Sequence, residues 1–318
     1  MGVNNYRWGF NIFLCLLLST VQCSREKTML FHAGVGQRSS LTDIQRQFRK
    51  RYPQVRVNFS FKGSGYFLAD ISRSREGDLY MPGEEFYLLQ AAERGFIADY
   101  DPDHDIAAYF ITVILTPRGN PQQIERIEDF ARPGVRVGLG NPKACAIGIA
   151  HKKVFEKAGI WEAVQKNATM SAKCIPELGN AAQHNLIDAT IVWATTAVLY
   201  LRDCEIIPLP HPYRGVIRLP VARLSFAKYP HEAELLKQFI LSDQGQEAFL
   251  SHAYAVGPIK HDKKGFLTAE DTSTDQLMQW LTNAAAIVKD PARKASPEEV
   301  GRLLGEVIRQ QKTIRAGN

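Results

Sequence analysis

The residues with the clearest chemical potential form a glycine–serine–glycine corner, Gly63-Ser64-Gly65. Residues 55–61 before it are apolar at every second position, which predicts a half-buried strand, and residues 66–74 after it have helical spacing. A helix start leaves backbone N–H groups unpaired at the positive end of the helix dipole, and glycine lets a ligand approach them. The corner is therefore either an anion site that includes the Ser64 hydroxyl or a helix that Ser64 caps. Taken alone, it favours the cap.

A second corner of the same kind precedes the first. Residues 28–33 predict a buried strand, a loop with glycines and serines follows, and residues 41–51 predict a helix with one apolar face. Ser40-Leu41-Thr42-Asp43 is close to a capping box, with Asp43 in place of the usual Glu or Gln. In neighbouring βα units of a parallel sheet, both corners lie at the edge where ligands of open α/β folds bind.

Composition is that of an ordinary globular chain. Its 318 residues suffice for one large or two medium domains, with 45% hydrophobic and 23% charged residues. The net charge of +6 is modest, and no basic block alternates with aromatic residues. The sequence therefore argues against nucleic acid as a partner.

The first 23 residues have a different character. Arg7 precedes an apolar run over residues 10–21, without acidic residues, which is the plan of a secretory signal peptide. Cys23 ends this segment as in the lipobox of bacterial lipoproteins, although Gln22 stands where that motif has a small residue. We expect export with lipidation at Cys23, and the alternative is an uncleaved membrane anchor.

Three cysteines remain beyond this segment: Cys145, Cys174 and Cys204. An odd number without a CxxC pair signals neither a disulfide framework nor a zinc site. Cys145 and Cys174 are best explained as small residues in tight loops beside helix starts, with a disulfide between them as the main alternative.

Domain organisation follows from a strand predicted over residues 109–116, which ends at a cluster of breakers and carries the chain into a second domain. Another strand, predicted over residues 216–226, returns it to the first. The predicted segments are a signal peptide with lipobox (1–23), lobe 1 (28–113), lobe 2 (114–225), the return to lobe 1 (226–257) and a C-terminal helical extension (258–318).

Four stretches in this order carry a family resemblance: Ser39-Ser40-Leu41-Thr42-Asp43, Gly63-Ser64-Gly65, Gly77-Asp78-Leu79-Tyr80-Met81-Pro82-Gly83 with the helix end Ala92-Glu93-Arg94-Gly95, and Asp188-Ala189-Thr190-Ile191-Val192-Trp193. Together they resemble the periplasmic molybdate-binding proteins of molybdate/tungstate ABC transporters, over about residues 28–254. The resemblance implies an α/β, type II periplasmic-binding-protein fold. Each of its two lobes is a mixed, mostly parallel sheet flanked by helices, to which this chain adds its C-terminal helices.

The function that this resemblance implies is capture of a tetrahedral oxyanion, molybdate or tungstate, between the lobes. The receptor is expected to be a periplasmic monomer, attached to the membrane only through its lipid, with an ABC permease and ATPase as partners. The family holds its ligand with serine hydroxyls and backbone N–H groups, without cofactor or metal. Because such donors carry no proton that titrates near neutrality, binding is expected to vary little with pH.

Carried over residue by residue, the resemblance implies a set of ligand-binding residues: Ser40 and Ser64 through hydroxyls, Ala146 or Ile147 and Ile175 through backbone N–H groups, and Trp193, Arg38 and Ser39 beside them. Trp193 departs from the family, which has an aromatic hydroxyl there, because indole donates only through N–H. Arg38 also departs, and either adds a charge-assisted bond or, the favoured interpretation, points to solvent.

Other functions have weaker support. Ser64 is not in a Gly-x-Ser-x-Gly elbow, and no histidine stands in a motif that pairs it with an aspartate, so we predict that the chain is not an enzyme. Two alternatives stay open: an oxyanion-sensing lipoprotein of the same fold without a transporter, and a receptor for another anion such as sulfate.

Overall fold

The structure is a computed structural model that describes residues 26–142, 145–269 and 272–289. The predicted signal segment, Cys23 and the last predicted helix, residues 297–310, lie outside the described residues.

Strands and helices alternate along most of the described chain. The strands are β1 (Lys27–Gly34), β2 (Val55–Lys62), β3 (Leu79–Met81), β4 (Ile97–Asp99), β5 (Ile106–Pro117), β6 (Val137–Gly140), β7 (Ala168–Ala172), β8 (Thr190–Trp193), β9 (Cys204–Pro208), β10 (Val216–Pro220) and β11 (Ala222–Leu224). The helices are α1 (Arg38–Arg51), α2 (Ser64–Ser74), α3 (Glu85–Glu93), α4 (Ala146–Lys157), α5 (Trp161–Asn167), α6 (Ile175–Gln183), α7 (Ala194–Ala197), α8 (Pro230–Leu241), α9 (Asp243–Leu250) and α10 (Thr272–Lys289), with 3₁₀ turns at Val35–Gln37, Ile127–Ala131 and Val198–Tyr200.

The first lobe is built on a five-stranded sheet with the order β2-β1-β3-β11-β4. β1 pairs in parallel with both β2 and β3, whereas β11 runs antiparallel between β3 and β4. The predicted apolar face of α1 is buried in this lobe, since Leu41, Ile44 and Phe48 are at most 1% exposed. Helices α8 and α9 pack on α1 and complete the lobe.

The second lobe is built around β5, which pairs antiparallel with β8, β9 and β10. β6 and β7 form a parallel pair, and a bridge from Val137 to Ala189 ties β6 to the chain before β8. Helices α4 to α7 belong to this lobe. β7 and the short β4 had no separate prediction from the sequence.

β5 and β10 connect the two lobes. Tyr109 of β5 pairs with Arg218 of β10 near the first lobe, and the far half of β5 carries β8 and β9 of the second. The predicted boundary after residue 113 therefore falls inside β5. The strand predicted over residues 216–226 divides into β10 and β11, because the register shifts at Pro220. The domain boundaries themselves stay a prediction.

The C-terminal helix α10 packs on the second lobe. The buried Arg214 guanidinium donates to Thr274 Oγ1 at 2.8 Å and pairs with Asp275 Oδ1 at 2.6 Å. At the other end of the helix, Lys289 pairs with Glu205 of β9. Because Leu277, Met278, Leu281 and Ala284 are also buried, the described part of the extension is a structural element of this lobe. None of the helices in the described residues is both long and apolar enough to span a membrane.

Candidate functional site

The carboxyl ends of three parallel strands, β1, β2 and β3, lie at one edge of the first-lobe sheet. Gln37, Ser64 and Gly83 follow these strands within three residues of the strand ends. The sequence predicted that the segments after β1 and β2 lie at one edge of the sheet. The segment after β3, Pro82-Gly83-Glu84, lies at the same edge because β3 is also parallel to β1.

Ser64 is held by the segment after β3. It is the first residue of α2, preceded by Gly63, and no side chain caps this helix. The Ser64 hydroxyl oxygen instead accepts the Gly83 N–H at 2.9 Å. The interpretation that Ser64 caps its own helix is therefore wrong. Within the described residues the hydroxyl proton of Ser64 has no acceptor, so it is free to donate to a ligand.

Ser40 has a different environment. The turn Val35–Gln37 runs directly into α1 at Arg38, so the predicted capping box at Ser40–Asp43 does not form. Ser40 is fully buried; its hydroxyl donates to the Gln37 carbonyl at 3.0 Å and interacts with the Tyr254 hydroxyl. The Ser40 proton is thus engaged within the first lobe, and a ligand would have to compete for it.

Gln37 is a residue of this edge that the sequence did not single out. Its side chain is fully buried, and its Nε2 donates to the Pro82 carbonyl at 3.1 Å. Gly34 leaves room for it, because a Cβ there would lie 3.0 Å from Gln37 Oε1 and 3.1 Å from Gly83 N. Gln37 thereby joins the segment after β1 to the segment after β3. A buried glutamine at the end of β1 carries no sequence signal beyond its place in the loop.

Arg38 and Ser39 are both exposed at the start of α1. The Arg38 guanidinium lies 4.4 Å from the centroid of the Phe61 ring, at the end of β2. This cation–π contact keeps the charge beside the edge of the site, near the solvent.

The second lobe contributes two helix starts. α4 begins at Ala146 after Cys145, and α6 begins at Ile175 after Cys174, each without a side-chain cap. Their first backbone N–H groups therefore lack helical partners. Gly148 allows α4 to start close to the preceding loop, since a Cβ there would lie 2.5 Å from the Gly140 carbonyl oxygen.

Cys145 and Cys174, which precede these helices, are free thiols, so the alternative disulfide is not formed. Burial raises the pKa of both thiols above the ordinary value. They are neutral near pH 7 and bring no negative charge to the helix starts.

Tyr87 of α3 links the first-lobe edge to the start of α4. Its hydroxyl would lie 3.9 Å from a Cβ placed on Gly65, and the pKa of its phenol is raised by burial and then by interactions with Glu84 and Cys145. Burial also raises the pKa of the Glu84 carboxyl, opposed by the charge of Lys153 on α4. Glu84 and Tyr87 therefore lie close enough to the second lobe to interact with Lys153 of α4 and with Cys145 directly before it, and neither Glu84 nor Tyr87 was predicted.

Trp193 lies at the end of β8 and is 3% exposed. Its ring stacks on Phe110 of β5 at 5.3 Å, with an interplanar angle of 13°, and Phe110 in turn contacts Tyr254 of the first lobe. The column therefore runs from the second lobe to the Tyr254 hydroxyl, which donates to Gly36 at 2.6 Å. No described residue accepts the indole N–H of Trp193.

The chain belongs to the family of bacterial extracellular solute-binding proteins, whose profile matches residues 31–255. One relative is a putative binding protein of Haemophilus influenzae, 23% identical over 71% of this chain and 90% of the relative. Another is the molybdate-binding protein ModA of Mycobacterium bovis, 23% identical over 67% of this chain and 78% of the relative.

Solved structures of the same architecture include two anion receptors. The sulfate-binding protein SubI of Mycobacterium tuberculosis superposes with a TM-score of 0.65 at 15% identity, over 72% of this chain and 86% of SubI. The periplasmic molybdate-binding protein of Azotobacter vinelandii gives a TM-score of 0.60 at 15% identity, over 72% of this chain and 100% of that protein. The predicted type II fold and the resemblance to molybdate-binding proteins are confirmed. As a member of this family, the chain is a solute-binding protein and not an enzyme.

Proposed function

We propose that the protein captures a tetrahedral oxyanion, molybdate or tungstate first, between its two lobes and delivers it to the permease and ATPase of an ABC importer. The observation that carries this proposal is Ser64, whose oxygen is held by the Gly83 N–H while its proton stays free at the edge where β1, β2 and β3 end. The molybdate-binding relatives support the choice of ligand.

In this proposal the anion rests first on the first lobe and is then covered by the second. Ser64 donates its hydroxyl proton, and lobe closure adds the backbone N–H groups of Ala146 or Ile147 and of Ile175, with the Trp193 N–H beside them. Ser40 joins if it exchanges the Gln37 carbonyl for the anion. Oriented donors hold a buried anion well because they need little reorganisation. Selectivity follows from cavity size, since a cleft fitted to molybdate leaves its donors too far from the smaller sulfate.

Replacing Ser64 with alanine tests this proposal. Loss of one hydrogen bond to a charged ligand is expected to weaken molybdate and tungstate binding about 10- to 150-fold. Calorimetric titration of the mature protein with molybdate, tungstate, sulfate and phosphate measures the affinities.

The matched control is Ser74→Ala, at the other end of α2, where the exposed hydroxyl donates to the backbone carbonyl of Asp70. We expect this variant to bind like the wild type. If Ser64→Ala also binds molybdate like the wild type, the site assignment fails. If sulfate binds more tightly than molybdate or tungstate, the receptor belongs to the sulfate class that SubI represents.

Export and lipidation form a separate part of the proposal. We expect the mature chain to begin at Cys23 and to carry a lipid there, so that the protein sediments with membranes, while Cys23→Ser releases it. Mass spectrometry of the purified mature protein checks the modification. A mature chain that lacks Cys23, or keeps it unmodified, contradicts the anchor without affecting anion binding.

A further inference from the structure

Two hydrogen-bond acceptors at the first-lobe edge are buried without a donor among the described residues. They are Gln37 Oε1 and Glu84 Oε2. The orientation of the Gln37 amide is fixed, because a flip would turn its oxygen toward the Pro82 carbonyl that its Nε2 now binds. Both acceptors lie near Gly83. A Cβ placed on Gly34 would contact both Gln37 Oε1, at 3.0 Å, and Gly83 N, at 3.1 Å, and Glu84 is the next residue in the chain.

This pair does not match a bare dianion. Molybdate and tungstate, like the two buried oxygens, offer only acceptors, and a buried acceptor without a donor costs free energy. A charged Glu84 would in addition repel the ligand. A proton on Glu84 removes both conflicts at that residue, because a protonated carboxyl is neutral and becomes a donor. Gln37 cannot change in this way, which leaves Glu84 as the group that can.

We propose that Glu84 takes up one proton from water when the cleft binds a dianion, and that its protonated carboxyl donates to the anion. One proton and one dianion enter together, and both leave on release. This inference rests on the proposed function and adds a regulating residue to the same site. It replaces the expectation that binding varies little with pH.

Among the described groups that surround Glu84, none other is a buried carboxyl without a hydrogen-bond donor. Lys153 of α4 interacts with Glu84. Tyr87 lies on α3, the helix that Glu84 precedes, and interacts with Glu84 and with Cys145 at the start of α4. The pKa of Tyr87 and of Cys145 is raised by burial, so both stay neutral. The neighbouring Glu85 is paired with Arg218 of β10 and accepts the Tyr100 hydroxyl. Burial raises the pKa of Glu84 above its ordinary value, although the charge of Lys153 limits the rise.

Affinity measured against pH tests the inference. Between about pH 6.5 and 8.5, where molybdate and tungstate are unprotonated dianions, we expect their Kd to rise by up to about tenfold per pH unit in the wild type. Glu84→Gln supplies a permanent neutral donor in place of the protonated acid. We expect this variant to lose the pH dependence and to bind at pH 8.5 at least about tenfold more tightly than the wild type.

The matched control is Glu93→Gln, which makes the same change in charge at the exposed end of α3 and should keep the wild-type slope. Calorimetry of the wild type in two buffers of different ionisation enthalpy counts the protons directly, so the test does not depend on the folding of a variant. We expect uptake of close to one proton per dianion at pH 8, and none in Glu84→Gln.

The outcomes separate this inference from the proposed function. Tight binding of molybdate or tungstate without proton uptake, or with uptake that persists in Glu84→Gln, overturns the role of Glu84 and leaves the oxyanion receptor intact. Absence of binding by any of the oxyanions at every pH overturns the proposed function and this inference with it.

Discussion

Replacing Lys237 with alanine is expected to lower the free energy of unfolding by about 3–5 kcal/mol, because it leaves a buried carboxylate without its cation. Lys237 Nζ of α8 lies 2.8 Å from Asp105 Oδ2, and both side chains are almost fully buried. Asp105 also accepts the Asp101 N–H, and its carbonyl accepts the Val221 N–H. Asp105 directly precedes β5 and Val221 directly follows β10. The ion pair therefore holds together the two strands that join the lobes.

Urea denaturation at pH 7 measures the effect. The exposed Lys50 in the last turn of α1 offers a control, since Lys50→Ala should change the free energy of unfolding by less than about 0.5 kcal/mol. The double variant Lys237→Met/Asp105→Asn removes both charges and should recover part of the loss. A loss below about 1 kcal/mol in Lys237→Ala would show that the Asp105 carboxylate is stabilised without Lys237, by water and by the Asp101 N–H that it accepts.

The periodicity of apolar residues predicted the main helices and strands, because the residues on the apolar face of each element are the ones that become buried. The alternation over residues 55–61 became β2, and the three apolar residues of α1 became part of the core. Helix starts were predicted less accurately. α1 begins three residues before the predicted position, because the 3₁₀ turn Val35–Gln37 continues into it.

The partners within the site were beyond sequence reasoning, since they come from separate elements. A serine after glycine at a helix start suggests a cap, but Gly83 lies 19 residues away and donates to Ser64 through the parallel arrangement of β1 and β3. Gln37 and Glu84 have no local pattern. They are distinguished by burial without a donor, which depends on the folded structure.

The packing of Trp193 could not be predicted from the sequence either. The end of β8 was predicted as a place for a donor, and the structure adds that the indole stacks on Phe110 in the strand that connects the lobes. Phe110 contacts Tyr254, whose hydroxyl binds the loop before α1. The column therefore connects the end of β8 in the second lobe to the loop before α1 in the first. Under the proposed function Trp193 lies beside the ligand, which favours tryptophan fluorescence as a readout of binding.

The packing of α4 against β6 and β8 in the second lobe depends on a neutral histidine. His151 of α4 is fully buried; its Nδ1 accepts the Gly140 N–H at 3.0 Å and its Nε2 donates to the Ile191 carbonyl at 2.6 Å. These bonds join α4 to β6 and β8, directly behind the loop that leads to the start of α4. Burial lowers the pKa of His151 from 6.5 to about 4, because a charged ring would lose its solvation, and a protonated Nδ1 could no longer accept from Gly140.

The sign of the pH effect follows from linkage. Between about pH 6.5 and 4 the unfolded chain binds a proton at His151 that the folded protein does not. The stability contributed by neutral His151 is therefore complete above pH 6.5 and is lost as pH falls toward 4, at about 1.4 kcal/mol per pH unit and about 3 kcal/mol in all. Burial also lowers the pKa of His32 in the first lobe, which acts in the same direction.

His151→Gln isolates this contribution, since a glutamine can accept from Gly140 and donate to Ile191 without titrating. We expect the wild type to lose about 3 kcal/mol more than this variant between pH 7 and pH 4 in urea denaturation. His184→Gln, the same change at an exposed position at the end of α6, should follow the wild type. Equal acid sensitivity of the wild type and His151→Gln would mean that His151 takes up its proton over the same pH range in the folded and the unfolded state. The bond from Gly140 would then contribute nothing to stability, and the start of α4 would be held by other contacts.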